Sequence, residues 1–80
     1  MEYIYILKSD KDGKRYIGRT SKSPDIRLRE HNSNKSKFTR GHQPWKLIYY
    51  EKFQSKKESQ AREKFLKSGK GREWLKYKLK

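Results

Sequence analysis

The sequence contains no cysteine, and only 9 of its 80 residues are acidic. Without cysteine, disulfides and thiolate metal sites are excluded, and an intracellular, cytoplasmic location is the expectation. Long apolar runs are also missing. The largest clusters are YIYIL at 3–7 and LIYY at 47–50, too short for a signal-peptide core or a membrane span. The scarcity of acid leaves 23 Lys and Arg against 9 Asp and Glu, a formal net charge of +14. Hydrophobic residues make up 30% of the chain, a level at which disorder competes with folding, but aromatics reach 14% and apolar alternation recurs in three places. A single domain over 1–80 is expected. Its core is limited, because a domain of this size buries only about 60–65% of the surface its unfolded chain exposes.

The basic residues run throughout the chain, so the charge is not a tail on a neutral body. Such a field favours a polyanion. A membrane-surface helix needs a broad apolar face opposite its cations. The closest stretch, REWLKYKLK at 72–80, is short, so nucleic acid is the favoured partner, located at the nucleoid when the partner is DNA, and no membrane is expected.

EYIYILK alternates with both faces largely apolar, which suits a central strand. Asp12-Gly13 then signals a two-residue type I′ hairpin turn, and RYIGRT is the return strand. With that turn, Leu7 lies opposite Gly18, Ser9 opposite Tyr16 and Tyr5 opposite Thr20. Tyr5, Leu7, Tyr16 and Gly18 then share one face, where Gly18 leaves a notch. SPDIRLREHNSN reads as a helix with Ser23 as N-cap, Pro24 in the first position, Asp25 at the positive end, and Asn32 and Asn34 at its close. Arg27 and His31 lie on one helix face. KSKFTRGHQP is a cationic loop around Phe38. WKLIYYEKF is a third strand in which Trp45, Leu47, Tyr49 and Phe53 alternate. SKKE opens another helix with a capping box, Ser55 and Glu58, and Ala61, Phe65 and Leu66 form its expected buried stripe. Gly69 and Gly71 break that helix, and a short final helix is anchored by Trp74, Leu75 and Leu79.

Four elements in order then carry a resemblance: Tyr3-Ile4-Tyr5, Tyr16-Ile17-Gly18, the R-x-x-x-H-N of Arg27, His31 and Asn32, and a late glutamate in AREKFLK. Together they resemble the GIY-YIG nuclease family, above all its small stand-alone, excision-nuclease-like members. The resemblance implies an α/β (α+β) fold, a three-stranded antiparallel sheet flanked by helices in the order β-β-α-β-α-α. It also implies metal-dependent hydrolysis of a DNA phosphodiester, structure-guided in repair or recombination, on DNA that is branched or flapped, with RNA open as an alternative partner. By position, Tyr5 and Tyr16 correspond to the motif tyrosines, Arg27 to the helix arginine and Glu63 to the metal-binding glutamate. Gly18 and Asn32 are motif positions. His31 matches a histidine that other members replace by tyrosine. Tyr3 departs from the family's glycine, and Arg19 follows YIG where some members carry lysine.

The chemistry asks for such residues. Phosphodiester hydrolysis needs an activated water and neutralised phosphate charge. Mg²⁺, or Mn²⁺, is held by one carboxylate with waters and phosphate oxygens, a role open to Glu63. Arg27 offers a planar fork for phosphate. A tyrosine hydroxyl near a metal and several cations loses its proton more readily than its reference pKa of about 10 implies, and His31 can share the work of a base. Arg19, Lys35, Lys37, Phe38 and Arg40 are the expected nucleic-acid contacts, Phe38 by stacking a base. Each residue also has an ordinary reading: tyrosine packs well in strands, Arg27 and His31 make a solvated helix face, and Glu63 pairs with Lys67. Three functions therefore stay open: the endonuclease, a non-catalytic nucleic-acid-binding module on the same fold, and a basic accessory protein that binds RNA or ribosomes.

Overall fold

The computed structural model of the chain describes residues 1–33 and 37–79 and, for Lys37 and Phe38, the backbone alone. Strand β1 (Glu2–Ser9) lies between β2 (Arg15–Thr20) and β3 (Trp45–Phe53), and both pairings are antiparallel. Helices α1 (Pro24–Asn32), α3 (Lys56–Lys67) and α4 (Gly69–Lys78) complete the expected order, with one short turn of helix, α2 (Lys37–Arg40), added in the segment read as loop. The central place of β1 follows from its sequence: Ile4, Tyr5, Ile6 and Leu7 are all buried, two on each face. Ile4 and Ile6 pack with Leu66 of α3 and Leu75 of α4. Tyr5 and Leu7 pack with Trp45, Tyr16 and Leu28 on the other side of the sheet.

The hairpin differs from the expected two-residue turn. Tyr5 lies opposite Gly18 and Leu7 opposite Tyr16, a register two residues away from the sequence expectation. The Ser9 hydroxyl accepts hydrogen bonds from the backbone N–H of Lys11 at 3.1 Å and of Asp12 at 3.2 Å, and Asp12 accepts from the Lys14 N–H at 3.0 Å. These local bonds favour a longer loop, closed by the Ser9 N–H donating to the Lys14 carbonyl. Among the described residues only Gly13 is a glycine with positive φ, 76°, whereas a type I′ turn needs two positive-φ residues in succession. Because the shift is even, Tyr5, Leu7, Tyr16 and Gly18 still share one face.

The third strand does not alternate as expected. Ile6 pairs with Tyr49 and Leu7 with Leu47, so Ile48 is an extra residue in a bulge. Trp45 and Leu47 therefore join the Tyr5 face, while Tyr49 and Phe53 join the Ile4 and Ile6 face.

Helix α3 keeps its capping box: the Glu58 N–H donates to Ser55 Oγ at 3.2 Å, and that hydroxyl donates to Glu58 Oε1 at 3.0 Å. Its buried stripe is not Ala61 with Phe65. Ser59 and Leu66 are buried, and Ala61 is exposed. The reason is Arg62, which donates to both Glu51 carboxylate oxygens at 2.8 and 2.9 Å and lies 4.6 Å over the Trp74 ring. That double anchor turns Arg62 toward the sheet and Ala61 outward. Ser68, not the glycines, separates the last helices, and its hydroxyl caps α4 by accepting from the Gly71 N–H at 3.2 Å.

Gly69 and Gly71 both fall in the first turn of α4, with different surroundings. A Cβ at Gly69 would meet nothing within 4 Å, whereas one at Gly71 would clash with the Phe65 carbonyl and lie 2.5 Å from the Leu66 Cα. Gly69→Ala is expected to leave stability unchanged or slightly raised, and Gly71→Ala to cost about 1–3 kcal/mol. Urea denaturation of the two variants checks this, and equal midpoints would contradict the close approach of α3 and α4.

Candidate active site

The Tyr5 ring lies over Gly18, its partner across the hairpin. A Cβ at Gly18 would clash with the Tyr5 hydroxyl and fall 2.5 Å from its Cζ, so the notch expected at Gly18 is filled by the Tyr5 phenol. This placement carries the hydroxyl to α1. Tyr5 Oη lies 2.9 Å from His31 Nε2, and Arg27 Nε donates to it at 3.4 Å. Arg27 Nη2 stands 3.4 Å from the same imidazole nitrogen. A guanidinium only donates, so His31 Nε2 is the acceptor in this group. The proton then sits on Nδ1, which donates to Thr39 Oγ1 at 2.7 Å. Tyr5 in turn donates to Nε2 while accepting from Arg27. Tyr16 closes the cluster, its ring 4.9 Å from that of His31 and 6.1 Å from that of Tyr5.

Burial sets the protonation states. Tyr5 is pushed up to about 12, first by desolvation, with Arg27 pulling the other way. In the metal-free protein the Tyr5 hydroxyl therefore keeps its proton at neutral pH. His31 is lowered by burial and then by the Arg27 charge, with Glu30 opposing, so the imidazole is neutral. For Arg27, burial works against the charge, but hydrogen bonds with Tyr5 and Glu30 outweigh it and the guanidinium is held more firmly protonated. Glu30 is held down to about 2 by hydrogen bonds from Lys22 and Arg27, at 2.9 and 2.6 Å.

A cavity of about 330 Å³ opens beside this cluster, lined by Arg19, Lys22, Arg27 and Lys56 with Glu2 and Thr20 among its walls. Arg19 stands between two carboxylates, 3.7 Å from Glu2 Oε1 and 3.5 Å from Glu63 Oε1. Glu63 is also paired with Lys67 at 3.3 Å. Tyr5, Tyr16, Arg27 and His31 are thus brought together by direct contact, and Glu63 joins them through Arg19, which shares the Arg27 cavity.

For a divalent cation these residues supply one carboxylate, Glu63, which is paired with Arg19 and Lys67. Among the described residues no cluster of three or more His, Cys, Asp or Glu forms, but a hard cation such as Mg²⁺ accepts one carboxylate completed by water and phosphate oxygens. Binding a cation at Glu63 would displace Arg19 or Lys67 from the carboxylate. Arg19 Nε is buried without a hydrogen-bond partner, so the guanidinium lying against Glu63 is incompletely held.

Other expected residues have different places. Asn32 is the last residue of α1, as expected, and its side chain has a second task. It clamps the start of β3, donating to the Trp45 carbonyl at 3.0 Å and accepting from the Trp45 N–H at 2.7 Å. Tyr3 lies half buried with its ring 6.4 Å from Tyr50. Arg40 is exposed at the end of α2. Lys35, Asn34 and the side chains of Lys37 and Phe38 lie outside the described residues. Sequence reasoning missed Glu30 and Thr39. Glu30 was within reach, being three residues after Arg27 on the same helix. Thr39 carried no signal, because its contact with His31 depends on how the intervening segment folds.

A three-stranded sheet presenting two tyrosines to an arginine–histidine helix defines a class of small nuclease-type domains. Residues 1–78 match the model of the GIY-YIG catalytic domain, and the chain belongs to the GIY-YIG family. It is 44% identical over 68 residues to UPF0213 protein CPE1444 of Clostridium perfringens, covering 84% of this chain and 71% of that one. It is 46% identical over 66 residues to a UPF0213 protein of Streptococcus pneumoniae, covering 81% and 65%. The solution NMR structure of UPF0213 protein BH0048 from Bacillus halodurans superposes with a TM-score of 0.55 at 38% identity, over 94% of this chain and 82% of that one. Among the described residues no helix is long and apolar enough to cross a membrane.

The lowered pKa of His31 has a stability consequence. The unfolded chain takes up the imidazole proton first, near pH 6.5, so the stability that neutral His31 contributes is complete above that pH. It falls as the pH drops below, by at most about 1.4 kcal/mol per pH unit. Urea midpoints are expected to decline from pH 7 to pH 5, and His31→Gln to flatten that decline. An unchanged slope in the variant would show that His31 is not held neutral.

Proposed function

We propose that the protein is a DNA endonuclease that hydrolyses a phosphodiester bond with Mg²⁺ or Mn²⁺ held by Glu63. The observation that carries this reading is the buried contact of the Tyr5 hydroxyl with both His31 Nε2 and Arg27 Nε, a hydroxyl between a neutral base and a fixed cation. The family match and the net charge of +14 support a nucleic acid as substrate. When bound, the cation supplies charge neutralisation at the phosphate and a more acidic water.

The chain's own residues do the rest. Arg27, Arg19, Lys22 and Lys56 surround the cavity that receives a phosphate, and Glu30 fixes the angle of the Arg27 fork. His31 Nε2 takes the Tyr5 proton, and Tyr5 takes one from the attacking water. Arg27 stabilises the phenolate in between, and Thr39 holds the imidazolium through Nδ1–H. Tyr5 is 1% exposed, which favours proton relay over direct contact with the reacting phosphate. Tyr16 is half buried at the strand edge and is the tyrosine placed to meet substrate.

One observation favours the non-catalytic reading: the Glu63 carboxylate is already paired with Arg19 and Lys67. Glu63→Gln separates the two. In the endonuclease its single-turnover cleavage of labelled flaps, forks, single strands and duplexes falls to background, while DNA binding in a chelator persists or strengthens. Tyr5→Phe slows cleavage about a hundredfold or more with the fold intact. Arg27→Ala loses turnover and some phosphate affinity. Cleavage by Glu63→Gln at the parental rate with Mg²⁺ would overturn the metal assignment, and a parent that cuts no substrate would hand the function to the binding module.

Affinity for DNA is expected to fall with salt. With about five phosphates neutralised, the log–log slope lies near −3.5 to −4.5 depending on strandedness. Fluorescence anisotropy across a salt series reads it, and a flat response would contradict the electrostatic account.

A further inference from the structure

The sheet face that carries Tyr5 also carries Tyr3, two residues earlier in β1. Tyr3 lies opposite Thr20 of β2 on one side and opposite Lys52 of β3 on the other. Tyr50 lies opposite Tyr5, but the Tyr5 ring leans the other way, over Gly18. The neighbour of Tyr50 is instead Tyr3, on the diagonal, with ring centroids 6.4 Å apart and planes at 58°. Tyr50 is 55% exposed and Lys52 is exposed, while Tyr3 is half buried. Tyr3 stands where the family motif has glycine, so this ring pair is no part of that motif.

A single exposed aromatic needs no explanation, but this pair has a setting. Thr20 lines the cavity that also holds Lys22 and Arg27. The row Thr20, Tyr3, Lys52 therefore crosses the sheet from that cavity, over the rings, to a further cation. It spans two interstrand spacings, about 10 Å. Cations at both ends with rings between them match a single strand, which offers a charged backbone and flat bases. We propose that Tyr3 and Tyr50 stack one unpaired base of a strand whose phosphate lies in the Arg27 cavity. The substrate class is then DNA with an unpaired nucleotide beside the phosphate that is cut. A paired duplex keeps the faces of its bases covered. A second copy of the chain would bring another +14 against Lys52 and Lys22, which disfavours it as the occupant.

The inference rests on the nuclease reading for the position of the cut, but its test reads binding alone. The probes are a fluorescein-labelled octathymidylate, an octamer of the same backbone with every base removed, and a blunt duplex, all in a chelator. Tyr50→Leu keeps apolar bulk and deletes the ring. The residue is exposed on the edge strand β3, so the variant is expected to fold, and its urea midpoint checks that. It should bind octathymidylate about tenfold more weakly and leave the abasic octamer and the duplex unchanged. Tyr3→Leu should give the same pattern. Tyr50→Phe, which keeps the ring, should bind all three probes like the parent.

No loss in Tyr50→Leu, an equal loss on both octamers, or Tyr50→Phe failing as Tyr50→Leu does would overturn the inference. So would sedimentation showing a dimer of the parent that Tyr50→Leu dissociates, since the patch would then belong to a second copy. If the rings prove indifferent while Glu63→Gln still abolishes cleavage, the stacking site fails and the nuclease reading stands. If the loss follows the rings while the parent cuts nothing, the stacking site stands on a binding module.

Discussion

The site depends on the absence of a side chain at Gly18. The Tyr5 ring occupies the space that any other residue would fill, and from there its hydroxyl reaches α1. Were the ring pushed outward, Arg27 would lose a hydrogen-bond partner and His31 Nε2 would lose its nearer donor. The His31 side chain would then keep Thr39 and the longer contact with Arg27 Nη2. One cross-strand pair, glycine opposite tyrosine, thus sets the distance between sheet and helix. The Asn32 clamp on β3 and the Gln43 side chain, which donates to the His31 carbonyl at 2.7 Å, hold the other end of the same helix.

The acidic residues are few, and most of those near the sheet edge hold a cation in place. Glu30 holds Lys22 and Arg27, Glu2 and Glu63 flank Arg19, and Glu51 fixes Arg62. None of these pairs needs to add much stability, since exposed ion pairs contribute roughly 0–1 kcal/mol. Their effect is positional. The guanidinium groups along β2 are thereby already oriented, within a field that the net charge of +14 extends into solvent.

Much of this was legible in the sequence, for physical reasons. Two-faced apolarity marked β1 as central, the Ser55–Glu58 spacing marked the start of α3, and the four-residue spacing of Arg27 and His31 put them on one face. The face shared by Tyr5, Tyr16 and Gly18 survived an error of two residues in register because strand geometry repeats every two. What failed depended on competition between local and distant contacts. Ser9 and Asp12 drew the backbone into a longer loop, a single bulge at Ile48 reversed the alternation of β3, and the Glu51–Arg62 pair rotated α3 away from its expected stripe. The desolvation that raises Tyr5 was not legible, because neighbouring cations are visible in a sequence and burial of one hydroxyl is not.

A neutral His31, protonated on Nδ1, accepts the Tyr5 hydroxyl hydrogen bond at Nε2, and the proposed proton relay rests on that contact. Nitrogen-15 NMR of the imidazole in the free protein at pH 7 tests it most directly. The expected signal is an Nδ1–H tautomer with Nε2 unprotonated, retained until the pH falls below 6.5, the ordinary histidine value. An Nε2–H tautomer, or an imidazolium at neutral pH, would contradict it, because neither leaves Tyr5 a base to which it can give its proton.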